Sequence, residues 1–241
     1  MRWALLLLCV ACPLTAQTAQ SMRPGESLSV RLEGRVPPAA IPAIDSLVEA
    51  AVAESLPAEL LVQKAIEGGA KHVEAKYIVG AVRINLDQLR RARNTLVEAG
   101  DASPTTPEEV AALNAALKRG LTPSVVSRIV AALPAEPRGP AFHAVADLVE
   151  RGFDQDSATN LILAAADHGL RNERLLDVSS RAVLELQSGK SYSDALNSVA
   201  SELPDVPGPP EEPSQRATRP PQRVPAPQGA PSPPRVPSRR P

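Results

Sequence analysis

Aromatic side chains are almost absent. Trp3, Tyr77, Phe142, Phe153 and Tyr192 are the whole set in 241 residues, or 2%. Strands of a sandwich or barrel draw on aromatic and β-branched residues, so this scarcity argues against an all-β fold. It also removes the ring platforms on which bases, sugars or flavins stack. Cysteine is confined to Cys9 and Cys12. A chain processed beyond that point has no thiol for catalysis, disulfides or metal ligation. Net charge is nearly nil, with 26 basic and 27 acidic side chains. No global excess points to nucleic acid or to an acidic partner.

The near-neutral total hides an uneven distribution. From Pro213 to Pro241 there are six arginines, Arg216, Arg219, Arg223, Arg235, Arg239 and Arg240, and no acid. Residues 1–212 therefore sum to −7, because the whole chain is −1. The sequence reads as an acidic body with a basic tail. Proline follows the same division, with 14 of the 26 prolines lying in the last 38 residues. Proline fixes φ and removes a backbone donor, and few apolar groups accompany it here. Residues 204–241 are expected to be disordered, with polyproline-II character. The tail arginines are candidate contacts for an anionic envelope surface through counterion release. The proline-rich stretches are candidates for a partner's groove.

The N-terminus carries a different signal. Met1-Arg2-Trp3 precedes the apolar run Ala4–Val10, then Pro13 and the small residue Ala16. Positive start, short apolar core and small-residue site form the plan of a secretory signal peptide. The run is far shorter than the roughly 20 residues that span a bilayer. The reading is a signal peptide over 1–16, with a mature chain that starts near Gln17. The alternative is a lipoprotein acylated at Cys12, although Cys9 stands where leucine is usual. Export to the periplasm or the medium follows from either.

Between these ends the apolar spacing is helical. Ile44, Leu47, Val48, Ala51 and Val52 fall at i, i+3, i+4, i+7 and i+8. Ile78, Val82, Leu86, Leu89, Ala92 and Leu96 continue one stripe along a longer helix. Thr106-Pro107-Glu108-Glu109 is a capping box with proline at the first helical position. Thr122, Asp154 and Ser191 are further N-cap candidates. Gly100, Gly120, Gly152, Gly169 and Gly189 are the expected helix stops. Only Ser27–Leu32 approaches strand-like alternation, and residues 17–39 are expected to be an extended linker.

The stops expose a repeat. Arg119-Gly120-Leu121, Arg151-Gly152-Phe153 and His168-Gly169-Leu170 share one form. Glu54-Ser55-Leu56 and Lys71-His72-Val73 fit it, with Ser and His in the glycine slot. Ser188-Gly189-Lys190 keeps the glycine and loses the apolar residue. Six positions beyond each slot stands another apolar residue: Leu61, Ile78, Val126, Ala158, Leu175 and Ala195. Such units bury their apolar faces only by stacking on neighbours. The expected fold is all-α, an irregular array of eight or nine short helices over 40–203, solenoid-like or a bundle.

Motifs with chemistry are weak. Ser188-Gly189-Lys190-Ser191 resembles the end of a phosphate-binding loop, but Leu184 replaces the first glycine and helix precedes it. Asp154–Asn160 opens like a calcium loop, yet Thr159 and Ala165 stand where Gly and Glu belong. His72, His143 and His168 form no i, i+4 pair, and no Gly-x-Ser-x-Gly turn is present. Arg83, Arg90, Arg91 and Arg93 make a basic stretch, read as a solvated face or a dock for an acidic partner. No catalytic residue, cofactor or metal is assigned. The leading expectation is a non-enzymatic scaffold or protein-binding module. The rivals are a nucleic-acid module with a helix-turn-helix corner at Gly120–Pro123, and an enzyme with an unrecognised site. Export and the acidic body oppose the nucleic-acid reading.

Overall fold

The computed structural model describes residues 28–100, 106–134 and 137–203. Residues 1–16, read from sequence as a signal peptide, and the tail with its six arginines lie outside them. No strand forms among the described residues. Ten α-helices follow one another: α1 Leu28–Leu32, α2 Ile41–Ala53, α3 Glu59–Ala70, α4 Ala75–Glu98, α5 Pro107–Lys118, α6 Pro123–Ala132, α7 Gly139–Glu150, α8 Gln155–Asp167, α9 Glu173–Gln187 and α10 Tyr192–Glu202. A 3-10 turn, Pro38–Ala40, leads into α2. Nine of the helices fall within the span read as helical from sequence. The tenth, α1, corrects the extended reading of the segment before it.

Alternation misled at α1 because Leu28, Val30 and Leu32 also suit a strand. Tertiary packing selects Leu28 and Leu32, an i, i+4 pair on one helical face. Leu32 is fully buried, Leu28 packs against the core, and Val30 faces solvent. Arg31 then reaches Glu59 of α3 through both guanidinium nitrogens, at 2.7 and 2.9 Å.

The helices stack in a regular order. α3 packs on α4, α4 on α5, α5 on α7 and α7 on α9. A second row runs from α6 to α8 to α10. The 24-residue α4 is the widest contact: it meets α2, α3, α5, α6 and the 3-10 turn. Its stripe, Ile78, Val82, Leu86, Leu89, Ala92 and Leu96, is buried throughout. The core is built of Leu, Ile, Val and Ala, with Phe142 its largest fully buried side chain.

The junctions explain the repeat. Ser55, His72, Gly120, Gly152, Gly169 and Gly189 all hold positive φ, at 54, 54, 101, 94, 83 and 98°. At five of them the next residue's N–H reaches back five positions to a helical carbonyl: Leu56 to Ala51 at 2.8 Å, Val73 to Gly68 at 3.1 Å, Leu121 to Ala116 at 3.1 Å, Phe153 to Leu148 at 3.1 Å and Leu170 to Ala165 at 3.0 Å. This is the Schellman turn, which satisfies orphan carbonyls and brings an apolar residue against the helix end. Leu56, Leu121, Phe153 and Leu170 are buried accordingly. All six residues at slot plus six are buried as well. At the sixth junction the bond from Lys190 to Glu185 is longest, 3.4 Å, where the apolar residue is missing.

Three caps form as read: the side chains of Thr106, Asp154 and Ser191 accept from the N–H of Glu109, Ser157 and Asp194. Thr122 differs. Its hydroxyl accepts from Gln155 Nε2 at 2.8 Å, and its N–H donates to Gln155 Oε1 at 3.1 Å. It ties one junction to the next instead of capping its own helix.

Candidate functional site

Position by position, the motifs singled out from sequence are occupied by structural work. Gly189 ends α9, Lys190 pairs with Glu185 and bonds Ser198, and Ser191 caps α10. Asp154 caps α8, and Asp156 pairs with Arg128 of α6 at 2.8 Å. His72 and His168 sit at helix C-termini. Arg90 grips Glu54 through Nε and Nη2, and Arg93 reaches the same carboxylate at 3.5 Å. Arg90's two-point hold on the carboxylate keeps Glu54 below the usual carboxylate range. Two of the four arginines are therefore held in intramolecular ion pairs while their side chains stay 38% and 31% exposed. Arg83 and Arg91 remain exposed. Among the described residues, no group of three or more His, Cys, Asp or Glu is placed to hold a metal, and no helix is long and apolar enough to cross a membrane.

A cleft lies between α3, α4, α5 and α7. It holds about 750 Å³ and is open to solvent. Ala111, Ala112 and Ala115 lower its floor on α5, because a methyl group leaves the space a larger side chain would fill. Leu60, Gln63, Lys64 and Glu67 of α3 make one wall, and His143 of α7 lies opposite. Asn85, Asn114 and Lys118 bring polar atoms into it.

These side chains reach the cleft by breaking their helices' patterns. Val110, Leu113, Asn114 and Leu117 stand at i, i+3, i+4 and i+7, so Asn114 occupies an apolar slot. It is 5% exposed, and no hydrogen bond satisfies its carboxamide among the described residues. Its amide atoms are not sealed from solvent but open on the cleft. Asn85 likewise sits on the α4 stripe, three residues after Val82. Its amide is well used: Nδ2 donates to the Leu60 carbonyl at 3.3 Å, and Oδ1 accepts from Lys118 Nζ at 3.2 Å.

The charges are arranged by neighbours. Partial burial, then the Lys64 ammonium, hold Lys118 below the usual lysine value. Burial and the Arg119 guanidinium lower His143. Arg119 itself is engaged by Asp147 at 2.9 Å and Glu150 at 2.7 Å. On α3, Lys71 and Lys64 hold Glu67 down to about 2. A separate buried ion pair, Arg138–Glu109, links the start of α7 to α5.

Sequence reading named none of Asn85, Asn114 or Lys118 as site residues. The available signal was a carboxamide at an apolar-stripe position. Comparison with known proteins adds no assignment: no family model, no curated protein and no solved structure matches the chain.

Proposed function

We propose that this chain is an exported, non-enzymatic helical-repeat module that binds an extended polypeptide in the cleft between α3, α4, α5 and α7. The observation that carries the reading is Asn114, a residue only 5% exposed whose carboxamide makes no hydrogen bond among the described residues and opens on a cleft lined also by Ala111, Ala112 and Ala115. A helical protein uses its backbone donors and acceptors internally. Any extended ligand must then find its hydrogen bonds on side chains. A carboxamide supplies both a donor and an acceptor, the pair that a peptide backbone presents. Gln63 of α3 offers a second carboxamide to the same cleft. The solenoid-like succession of Schellman turns keeps the walls at fixed spacing, so the trough exists before ligand arrives.

Export rests on the Arg2, Ala4–Val10 and Ala16 pattern. Fractionation with N-terminal sequencing should find a mature start between Gln17 and Met22. An intact Met1, or an acylated Cys12, would overturn that cleavage. The tail arginines are proposed to hold the module at an anionic envelope surface. Co-sedimentation with anionic envelope fragments should weaken steeply with salt, since exposed charges are screened within about 8 Å at 0.15 M. Truncation after Leu203 should weaken it too, and salt-independent binding by both forms would refute the anchoring role.

The peptide reading is tested by displaying random linear peptides against the full-length chain, with Asn114→Leu as the parallel target. Sequences should be enriched on the wild type and lost on Asn114→Leu. If no sequence is recovered more often on the wild type than on Asn114→Leu, the reading is overturned.

A further inference from the structure

We propose that the polypeptide bound in this cleft carries an acidic side chain that seats between Lys118 and Asn114 of α5. This rests on the peptide-binding reading above and names the feature the cleft would select. Asn114 and Lys118 are i, i+4 neighbours on one helical face, with Cβ atoms about 6 Å apart. Both line the same trough. Lys118 has no carboxylate partner among the described residues. Its ammonium donates to Asn85 Oδ1 alone, at 3.2 Å, and Asn85 is in turn fixed by the Leu60 carbonyl. The charge is thus steadied by a neutral group, meets solvent and has no carboxylate beside it among the described residues, while Asn114 Nδ2 is an unused donor beside it. A carboxylate with one oxygen on each satisfies both.

The surroundings favour an anion at this end. Partial burial and then the Lys64 ammonium disfavour the Lys118 charge, which an incoming carboxylate would favour. The acids that also line the cleft do not occupy the position. Glu67 is taken by Lys64 at 2.9 Å and Lys71 at 2.5 Å. Glu108 stands ten residues earlier on α5, about 15 Å along the axis at 1.5 Å per residue. Because the cleft is an open trough, a chain passes through it, and the carboxylate comes from a side chain within the segment rather than from a terminus.

The test starts from the peptides enriched on the full-length chain, synthesised with a fluorophore and titrated by anisotropy. One Asp or Glu position should dominate, and its change to the amide should weaken binding by about tenfold or more, as for loss of a charge-assisted bond. Lys118→Gln should weaken binding by a similar factor and make the peptide's acid-to-amide change nearly silent, while Lys118→Arg retains most of the affinity. The exposed Lys76→Gln should leave binding unchanged, and circular dichroism should show unaltered helix content in each variant. Amidating the peptide C-terminus should have no effect. Enriched peptides without a common acid, or full affinity in Lys118→Gln, would overturn the acidic seat and leave peptide binding standing. Loss of binding on C-terminal amidation would overturn it in favour of a terminal carboxylate. Absence of any enriched peptide would overturn the peptide reading itself, and the seat with it.

Discussion

Replacing Gly69 of α3 and Gly80 of α4 by alanine should move stability in opposite directions. In isolation, a helical Gly→Ala gains roughly 0.5–1 kcal/mol through backbone entropy and propensity. Gly80 in α4 meets this case, since a Cβ there finds nothing within 4 Å. Gly69 in α3 does not. Its Cβ would lie 1.8 Å from the Arg35 carbonyl oxygen and 3.2 Å from Val36 Cα. No real Cβ approaches backbone that closely, so α3 and the Arg35–Val36 turn must separate. α3 is held by α2 and α4, whereas the turn belongs to the arm that carries α1. Parting them exposes Leu32 and Val36, now 0% and 4% accessible. At about 1.5–3 kcal/mol each, undocking costs roughly 3–6 kcal/mol. After the propensity gain, Gly69→Ala should lose about 2–5 kcal/mol, and Gly80→Ala should gain up to about 1 kcal/mol. Urea denaturation gives both signs, and amide exchange should show lost protection at Val36, whose N–H bonds the Leu32 carbonyl. A Gly69→Ala protein as stable as the parent would refute the argument from close approach.

Further outcomes follow from the turns, the cleft and the surface pairs. Ser55→Gly and His72→Gly relieve a left-handed φ of 54° and should each raise stability by up to about 1 kcal/mol in urea melts; a loss in both would show that the strain is absent. Gly152→Val should cost at least the roughly 1–2 kcal/mol of a left-handed β-branched residue, and more than Gly120→Val. An added Cβ at Gly152 stands 3.1 Å from the Tyr192 hydroxyl, against 3.7 Å from Val149 at Gly120; equal midpoints would refute the ranking. Asn114→Leu should abolish peptide binding with helix content by circular dichroism unchanged, because it removes the amide that opens on the cleft; full binding by the variant would refute that role. Glu67 falls from 4.5 to about 2 in the folded chain, so its ion pairs stabilise above the higher value and are lost as pH falls toward the lower. The drop in urea midpoint on acidification from neutral pH through that window should narrow in Glu67→Gln, and an unchanged drop would refute the assignment.

The turns were legible because their cause is local. A residue in the left-handed region and an apolar residue after it are recorded within three consecutive letters, which is why Ser55 and His72 could be placed beside the glycines. The slot-plus-six positions follow from the same local geometry, with one N-cap and one helical turn between. The cleft was not legible, since its polar atoms come from four helices separated by up to 83 residues, from Leu60 to His143. Arg90 shows the same limit: its spacing says surface, but Glu54 lies 36 residues away in sequence and within hydrogen-bonding reach in space. Gly69 carries a signal only in combination, because nothing in the α3 sequence reports that the Arg35 turn crosses it.

The breadth of α4 has a consequence for how damage spreads. Through it the 3-10 turn, α2, α3, α5 and α6 share one packed helix, so loosening any of these disturbs the surfaces on which the others rest. From α7 onward each helix leans chiefly on those next to it in the two rows. The first part of the molecule should therefore open as a single cooperative unit, whereas the last part can fray from its end, helix by helix. α10 is the place to begin: it hangs from the junction with the longest reach-back bond and no apolar lock at Lys190. Three of the cleft's four helices, α3, α4 and α5, belong to the unit that opens last, and α7 is the helix that borders it. A ligand held there would keep its grip while the far end of the array comes apart.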